Sequence, residues 1–419
     1  MRPIVREIEK VYPKSRLDAQ IQRYRAAEVS FAEHFGQLGE HRFFSAPGRT
    51  EICGNHTEKN NGKALAASVD VDAIAVVEQT DDGFVTIKSE GFPEDKIDIN
   101  DLEIREGEKN TSAALIRGVL KGFSKNGYRI GSFRAYTTSG VKKGSGLASS
   151  AAFAVLIGTI MTHLFNSGEV SPVKVAQAAQ FAENNYFGRL SGLLDHMACS
   201  VGGFVSIDFK DDNIPVVENV NYDMAKSEHA LCIVDTIGEK TDHTAEYETI
   251  AREMREVTNF FDCKTLRSLS LADIMLNINV LRESVGDRAV LRAIHFFHEN
   301  ERVEKVLHAL QNDEFENFLH SVRESGNSSF KYLQNIYSSN DVKHQSLSIA
   351  LNTAEYTLHR KGACRIHGSG FSGTIQAFVP FDDLKQFKMN MEKVFGTGSC
   401  RILSIRQIGG CEVTMEKAP

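Results

Sequence analysis

Hydrophobic and polar positions follow two different periods along this chain of 419 residues, so both helices and strands are predicted. Within residues 1–40, apolar side chains recur at the spacing of a helix with one buried face: Ile21, Tyr24, Ala27 and Phe31. Residues 64–77 instead alternate small apolar with polar residues, which predicts one or two strands, and residues 84–92 continue that pattern.

A glycine-rich segment and a long apolar run lie further along the chain. The strand-like residues 131–140 lead directly into the loop 141–151, which is rich in Gly and Ser. The following residues, 152–165, are mostly apolar and long enough for a buried helix. We therefore expect a strand, a tight loop and a buried helix in succession.

The second half of the chain repeats this mixture of elements. Residues 230–236 predict a buried strand and residues 245–261 an amphipathic helix. Helical spacing dominates over residues 271–358. Strands and helices mixed in each half indicate an α+β architecture. The polar stretch 208–224 marks the expected boundary between two domains, residues 1–222 and 223–419.

Charge and composition exclude several classes of protein. The 48 basic and 55 acidic side chains give a net charge of −7, whereas a nucleic-acid binder usually carries a basic face. No apolar run reaches the roughly 18 residues that span a bilayer, and the charged N-terminal segment lacks the apolar stretch of a signal peptide. The seven cysteines are scattered, which indicates reduced thiols. We expect a cytoplasmic protein with small-molecule partners and with no nucleic acid, no membrane and no obligate protein partner.

The glycine-rich loop has the chemistry of an anion site. Glycines let the backbone approach a ligand closely, and the amides at the N-terminus of the following helix attract negative charge. The loop lacks the Gly-Lys-Ser/Thr ending of a Walker A motif, and a tight structural connection is the alternative interpretation. The candidate phosphate-binding residues are Gly144, Ser145, Gly146, Leu147, Ser149 and Ser150.

Two carboxylates, Glu183 and Asp195, lie downstream of this loop. Near a phosphate site, one carboxylate suits Mg²⁺ and the other suits a position beside the acceptor hydroxyl. Asp195 stands among apolar residues, where a carboxylate is desolvated and therefore either paired or functional. The alternative is a solvated Glu on a helix and an Asp that caps one.

A third polar segment, residues 47–59, lies within residues 42–62, which their Pro-Gly pair and their Gly, Asn and Thr content predict to be a loop. Its density of donors and acceptors suits a polyhydroxylated ligand, and Arg49 could neutralise charge on a transferring phosphoryl group. A surface loop is the alternative.

Elsewhere, residues 299–302 are interpreted as a solvated helix face, and the nearby histidines lack a further ligand at metal-site spacing.

Taken together, these segments resemble the galactokinases of the GHMP kinase superfamily. Residues 48–59 are similar to the signature Gly-Arg-x-Asn-x-Ile-Gly-Glu-His-Thr-Asp-Tyr, and residues 144–151 to the phosphate loop Gly-Gly-Gly-Leu-Ser-Ser-Ser-Ala. Residues 192–196 look like the element Gly-Ile-Met-Asp-Gln. Residues 363–373 are similar to the C-terminal motif Gly-Ala-Arg-Met-Thr-Gly-Gly-Gly-Phe-Gly-Gly. The likeness runs in register over residues 42–380.

The resemblance implies a two-domain GHMP kinase fold with ATP and a sugar in the cleft between the domains. It implies that Asp195 is the catalytic carboxylate beside the sugar C1 hydroxyl and that Arg49 stabilises the transferring phosphoryl group. Ser150 and Glu183 would hold Mg²⁺. The implied activity is ATP-dependent phosphorylation of galactose to galactose 1-phosphate and ADP. The implied sugar-binding residues are Asn55, His56, Glu58, Gly192, Asp195 and Tyr247.

Several positions depart from the family pattern. Asn55 replaces a Glu that accepts a hydrogen bond from the C6 hydroxyl, and Glu58 replaces an Asp that contacts the sugar ring. Lys59 replaces a Tyr and would pair with a carboxylate on the sugar if it faces the site. In the C-terminal motif, Ser369 and Ser372 replace glycines. These departures leave two alternatives open: a 1-kinase for N-acetylgalactosamine, galacturonate or arabinose, or a catalytically silent sugar and ATP sensor.

Overall fold

The computed structural model describes residues 8–9, 11–211, 214–236, 243–371 and 373–414, so Ser372 lies outside the described residues. Helices and strands are mixed throughout, which confirms the α+β class. The strands are β1 (Arg42–Cys53), β2 (Lys63–Gln79), β3 (Phe84–Ser89), β4 (Glu94–Asp98), β5 (Phe133–Ser139), β6 (Phe204–Asp208), β7 (Val216–Val220), β8 (His229–Asp235), β9 (Ala363–His367), β10 (Thr374–Pro380), β11 (Cys400–Leu403) and β12 (Cys411–Val413).

The helices include the predicted helical segments and also residues 112–125, 172–182 and 194–201, which are not predicted from the sequence. They are α1 (Leu17–Phe35), α2 (Ser112–Lys125), α3 (Ser149–Phe165), α4 (Pro172–Ala182), α5 (Leu194–Val201), α6 (Thr244–Phe260), α7 (Leu271–Leu276), α8 (Ile278–Val285), α9 (Asp287–Gln311), α10 (Phe315–Ser328), α11 (Ser346–Leu358) and α12 (Leu384–Phe395). Two π-helical turns, Glu183–Phe187 and Ser329–Leu333, continue α4 and α10.

The described residues form two compact units, each built from segments that are distant in sequence. The first unit comprises the described parts of Met1–Arg49, Ala67–Gly203 and Arg406–Pro419. The second comprises those of Thr50–Ala66 and Phe204–Ile405. These units do not follow the linear division at residue 222. The polar stretch there contains β7, which pairs with β6, and is therefore part of a folded unit.

The first unit contains a sheet with the strand order β12-β1-β2-β5-β3-β4. β2 and β5 pair antiparallel, whereas β3 and β5 run parallel. Nearly every residue of α3 from Ala151 to Thr162 is buried, as expected for a helix that is apolar on all sides. None of the helices that the structure describes combines the length and the apolar content needed to cross a membrane.

A buried polar cluster in the first unit is centred on Asp72 of β2. Its carboxylate accepts hydrogen bonds from Arg23 of α1 at 2.6 Å and from Arg406 at 3.0 Å. Burial raises the pKa of Asp72, but the two guanidinium groups, together with hydrogen bonds from Ser45 and Tyr12, hold the pKa below its ordinary value. The cluster therefore connects three parts of the chain that are far apart in sequence.

The second unit contains the antiparallel sheet β11-β8-β10-β9. β10 lies between β8 and β9 and pairs with β8 along its full length. Apolar side chains of α11 and α12, such as Leu347 and Phe387, pack in one core with this sheet. A second core contains side chains of α6 and α9, such as Met254 and Phe296.

β1 differs from the predicted structure of its residues. Residues 42–53, predicted as a loop, form a strand that is buried along almost its entire length. Pro47 is tolerated within this strand because β12 pairs only with Phe43–Ser45, so that edge of β1 needs no donor at residue 47. The loop begins only at Gly54, after the end of β1.

Candidate active site

Arg49 and Asp195 form a bidentate ion pair in the first unit. Arg49 ends the part of β1 that belongs to this unit, and Asp195 lies in the first turn of α5. Nε of Arg49 is 2.6 Å from Oδ1 of Asp195, and Nη2 is 2.7 Å from Oδ2. The Asp195 side chain remains 34% exposed, whereas that of Arg49 is 9% exposed. The pair therefore presents an oriented carboxylate that a ligand can reach.

The glycine-rich loop lies against this pair. Arg49 donates from Nη1 to the Gly146 carbonyl, and its backbone N–H donates to the Leu147 carbonyl at 3.1 Å. Gly144 and Gly146 adopt left-handed φ angles of 78° and 74°, and Ala148 has a φ of 59° directly before α3. Glycine adopts such angles at little steric cost, whereas Ala148 stores backbone strain. Backbone strain of this kind is concentrated at ligand sites, which fits the predicted role of the loop.

The start of α3 offers backbone amides and two hydroxyls. Ser149 and Ser150 open this 17-residue helix and are half-buried. The first amides of a helix carry partial positive charge, which suits phosphate. Ser145, another predicted phosphate ligand, is buried, and both its N–H and its hydroxyl donate to the Lys142 carbonyl, at 3.2 and 2.6 Å. The donor groups of Ser145 are therefore used within the loop.

Glu183 faces the start of α3 from the π-helical turn after α4. Its Oε1 accepts from the Ser150 hydroxyl at 2.8 Å, and its Oε2 accepts from the Ser191 hydroxyl at 3.0 Å. Nε2 of His196 lies 2.9 Å from Oε2. Burial raises the pKa of Glu183, but the contact with His196 and the hydrogen bond from Ser150, with a smaller effect of the Arg189 charge, together lower the pKa to about 2. The two predicted Mg²⁺ ligands are therefore adjacent, and one of them is a carboxylate at neutral pH.

A second group of predicted site residues lies in the second unit, in the loop after β1. Gly54 has a φ of 90°, and a Cβ there would lie 2.4 Å from the Lys63 carbonyl oxygen, so only glycine fits. Two side chains of α9 hold this loop. Glu299 accepts the Gly54 N–H at 2.8 Å, and Nε2 of His295 lies 3.0 Å from the Asn55 carbonyl oxygen. The backbone is thereby fixed at two consecutive residues.

The interpretation of residues 299–302 as a solvated helix face is wrong. Glu299 is 0% exposed and pairs with Arg302, which is also buried. Burial raises the pKa of Glu299, but Arg302 and the other cationic side chains nearby together hold it below the ordinary value. Helical spacing is the feature of the sequence that could have predicted the burial of these residues. His295 and Glu299 lie one turn apart on the face of α9 that carries the buried Arg292.

Replacing Glu299 with Ala is expected to lower the free energy of unfolding by about 3–5 kcal/mol, because a buried guanidinium loses its partner. The Gly54 N–H also loses its acceptor. Equilibrium urea denaturation measures this loss. Glu301→Ala removes an exposed carboxylate from the same helix and should change the free energy by less than about 0.5 kcal/mol. Equal losses in the two variants would contradict the structural role of Glu299.

Asn55, His56 and Tyr247 each contact one carbonyl oxygen of the glycine motif after β9. Nδ2 of Asn55, Nε2 of His56 and the Tyr247 hydroxyl lie 2.9, 2.9 and 3.2 Å from the carbonyl oxygens of residues 368, 369 and 370 respectively. The His56 and Tyr247 rings are 6.3 Å apart between centroids. The structure therefore brings three predicted sugar-binding residues together around one backbone segment.

The remaining predicted sugar-binding residues are placed elsewhere. Glu58 is half-buried on a short turn, and Lys59 is exposed. The exposure of Lys59 therefore removes the support for its pairing with a sugar carboxylate. Gly192 precedes α5 in the first unit, where its carbonyl oxygen lies 3.3 Å from Nδ1 of His196. Gly192 and Asp195 thus belong to one unit, and the other predicted sugar-binding residues belong to the second.

The stability of the protein is expected to fall between about pH 6.5 and pH 4, in part because of His56. Burial lowers the pKa of His56 to about 4, despite the Ser369 carbonyl, which raises it. An unfolded histidine titrates near pH 6.5, so the unfolded state binds more protons between these two values and stability increases with pH there.

The check is the melting temperature across this pH range. His56→Gln should show a shallower dependence than the wild type, whereas His320→Gln, which removes an exposed ring, should follow the wild type. The same dependence in all three proteins would rule out a contribution from His56.

Two segments of the chain match known family models. Residues 29–79 match the galactokinase galactose-binding signature, and residues 114–203 match the N-terminal domain of GHMP kinases. The first segment contains Arg49 and the loop after β1. The second contains the glycine-rich loop, Glu183 and Asp195.

Relatives and solved structures extend the similarity over most of the chain. The galactokinase of Lactococcus lactis subsp. lactis (strain IL1403) is 27% identical over 379 residues, which cover 88% of this chain and 91% of that protein. The crystal structure of Lactococcus lactis galactokinase complexed with galactose has a TM-score of 0.77 at 24% identity and covers 92% of this chain and 99% of its own. The Methanococcus jannaschii mevalonate kinase structure has a TM-score of 0.61 at 12% identity, with coverages of 88% and 99%.

The match to the GHMP kinase N-terminal domain and the galactokinase relatives confirm the predicted class of enzyme, a phosphotransferase that uses ATP. The predicted resemblance to galactokinases within this class is confirmed as well. It rests on the signature at residues 29–79 and on the galactokinase relatives.

Proposed function

We propose that the protein transfers the γ-phosphoryl group of ATP to the C1 hydroxyl of galactose, giving galactose 1-phosphate and ADP. The observation that carries this proposal is the bidentate pair of Arg49 and Asp195 beside the glycine-rich loop at the start of α3. The galactose-binding signature and the similarity to a galactokinase solved with galactose support this choice of sugar.

In the proposed mechanism, Asp195 accepts the proton of the C1 hydroxyl as the hydroxyl oxygen attacks the γ-phosphorus. The bond from that phosphorus to the bridging oxygen breaks, and ADP leaves with the electron pair. Arg49 holds the carboxylate in one plane and stabilises the charge of the transferring group. The amides and hydroxyls at the start of α3 hold the phosphates.

Ser150 and Glu183 fit a bound Mg²⁺. Mg²⁺ is usually held by one or two carboxylates together with substrate phosphates and waters. In line with this, the described residues contain no cluster of three or more His, Cys, Asp or Glu side chains that could hold a metal ion by itself. When bound, Mg²⁺ would neutralise charge on the phosphate oxygens.

Two alternatives stay open. The replacement of a Glu by Asn55 favours a 1-kinase for a related sugar, N-acetylgalactosamine, galacturonate or arabinose. The exposure of Lys59 removes the charge argument for galacturonate. A sugar and ATP sensor is the second alternative, and the intact ion pair of Arg49 and Asp195 counts against it.

ADP release from Mg-ATP tests the proposal, with a panel of galactose, glucose, N-acetylgalactosamine, galacturonate and arabinose and with Asp195→Asn as the blank. A preference for galactose would support the proposed function. A preference for another sugar would replace galactose by that sugar. ATP binding without turnover of any sugar would favour the sensor.

We infer further that the protein works in the cytoplasm, with sugar and ATP as its partners and without nucleic acid, membrane or an obligate protein partner. The free state of all seven cysteines supports a reducing compartment.

A further inference from the structure

Building on the proposed function, we propose that Asn335 determines sugar specificity: its side-chain oxygen accepts a hydrogen bond from an uncharged donor on the sugar. Asn335 follows the π-helical turn after α10 and lies outside the four sequence motifs of the family resemblance. The side chain that accepts the hydrogen bond from the sugar is then residue 335, whereas the family resemblance places this acceptor at residue 55.

The side chain of Asn55 is fully engaged within the protein. Its Nδ2 donates to the Glu51 carboxylate at 2.8 Å and to the Gly368 carbonyl at 2.9 Å. Both partners are acceptors, so they fix which end of the Asn55 amide is the nitrogen. Its Oδ1 must then point the other way, where it accepts from Nδ2 of Asn335 at 2.8 Å. The Asn55 oxygen is therefore already engaged by a hydrogen bond within the protein.

The orientation of the Asn335 amide follows from the same logic. Its Nδ2 also lies 3.1 Å from the Ser369 carbonyl oxygen, so both of its neighbours are acceptors and the nitrogen must face them. Its Oδ1 is buried and has no hydrogen-bond partner among the described residues. A buried acceptor in a folded protein almost always has a partner, so this oxygen requires one that the described residues do not supply.

The surroundings of Asn335 identify that partner as the sugar. The Ser369 carbonyl that accepts from Asn335 also contacts His56, and the next carbonyl, that of Gly370, contacts Tyr247. A Cβ at Gly370 would lie 2.6 Å from Nδ2 of Asn335, so the two residues are in direct contact. The unpartnered oxygen therefore belongs to the same cluster as Asn55, His56 and Tyr247.

The chemistry of this oxygen selects the ligand group. An amide oxygen accepts from a hydroxyl or an amide N–H and repels a carboxylate, which is itself only an acceptor. Residue 55 occupies the position that the family resemblance assigns to the C6 hydroxyl, so the C6 hydroxyl is the first candidate donor. We therefore expect galactose to be preferred over galacturonate, whose C6 is a carboxylate.

A cycle of sugar and protein changes tests the proposal. The wild type and Asn335→Ala are each assayed with galactose and with its 2-deoxy and 6-deoxy analogues, by kcat/KM for ADP release and by calorimetric sugar binding. In the wild type, loss of the hydroxyl read by Asn335 should weaken both values by about 10–100-fold. In Asn335→Ala, kcat/KM and affinity for galactose should fall by a similar factor. The values for that deoxy sugar should fall hardly any further.

The other outcomes are equally informative. If every deoxy analogue carries the same penalty in the variant as in the wild type, Asn335 binds only a buried water or has a structural role, and the proposal fails. Asn340→Ala, an exposed amide in the same segment, is the matched control and should match the wild type. Asn335→Ser, which retains a donor towards Asn55, replaces Asn335→Ala if the latter does not fold. Failure of the wild type to phosphorylate any sugar would overturn the proposed function, whereas calorimetric binding would still test Asn335.

Discussion

Replacing Asp195 with Asn is expected to lower kcat by about 10²–10⁴-fold, because the amide cannot accept the proton of the attacking hydroxyl. ATP affinity should stay within about twofold, because the groups assigned to the phosphates lie in the glycine-rich loop and at the start of α3. Asn retains one oxygen that can accept from Arg49, so the ion-pair geometry is only partly lost. Initial rates of ADP release and nucleotide titration measure the two quantities.

The matched control is Asp81→Asn, which removes an exposed carboxylate from the same unit and should leave kcat unchanged. A variant at Asp195 with undiminished kcat would remove this carboxylate from the mechanism. A variant that loses ATP binding together with turnover would instead make Asp195 part of the nucleotide site.

Replacing Arg49 with Lys is expected to lower kcat by about 10²–10³-fold, a loss typical of removing one preorganised electrostatic group. An ammonium group is a compact point charge and cannot reproduce the two parallel hydrogen bonds to Asp195. It also cannot hold the Gly146 carbonyl at the same time, so the glycine-rich loop loses a support. The measurement is kcat and KM for both substrates at saturating concentration of the other.

Arg25→Lys, which makes the same change at an exposed position of α1, serves as the control and should behave like the wild type. If Arg49→Lys kept full activity, charge alone would suffice at this position. The bidentate geometry would then have no part in the reaction.

The periodicity of the sequence predicted the elements whose burial follows from their own residues. α3 is apolar on all sides, and β8 is a short apolar run, so both predictions are confirmed. Periodicity does not predict β1, because its polar residues are buried against partners far away in the sequence. Thr50, for example, contacts His367, a residue 317 positions further along.

The candidate site likewise contains residues that sequence motifs predict and residues that only the tertiary structure identifies. Arg49, Glu183 and Asp195 stand in motifs whose order along the chain could be read from the sequence, and their assigned roles stay predictions. The support of the sugar loop by Glu299 depends on tertiary packing, which turns a charged helix residue inward. The exposure of Lys59 likewise depends on where a short turn points. Asn335 lies in no motif, and only the hydrogen-bond pattern around Asn55 draws attention to it.

The buried cluster around Asp72 has a consequence for how the protein is made. Ribosomes build a chain from its N-terminus, so β2 emerges more than three hundred residues before Arg406 does. Until then, Asp72 lacks one of its two guanidinium partners, and β1 lacks β12 at its edge. The nascent first unit therefore has an open strand edge and an incomplete core while residues 204–405 of the second unit are synthesised. During this interval the chain is exposed to aggregation and to capture by chaperones.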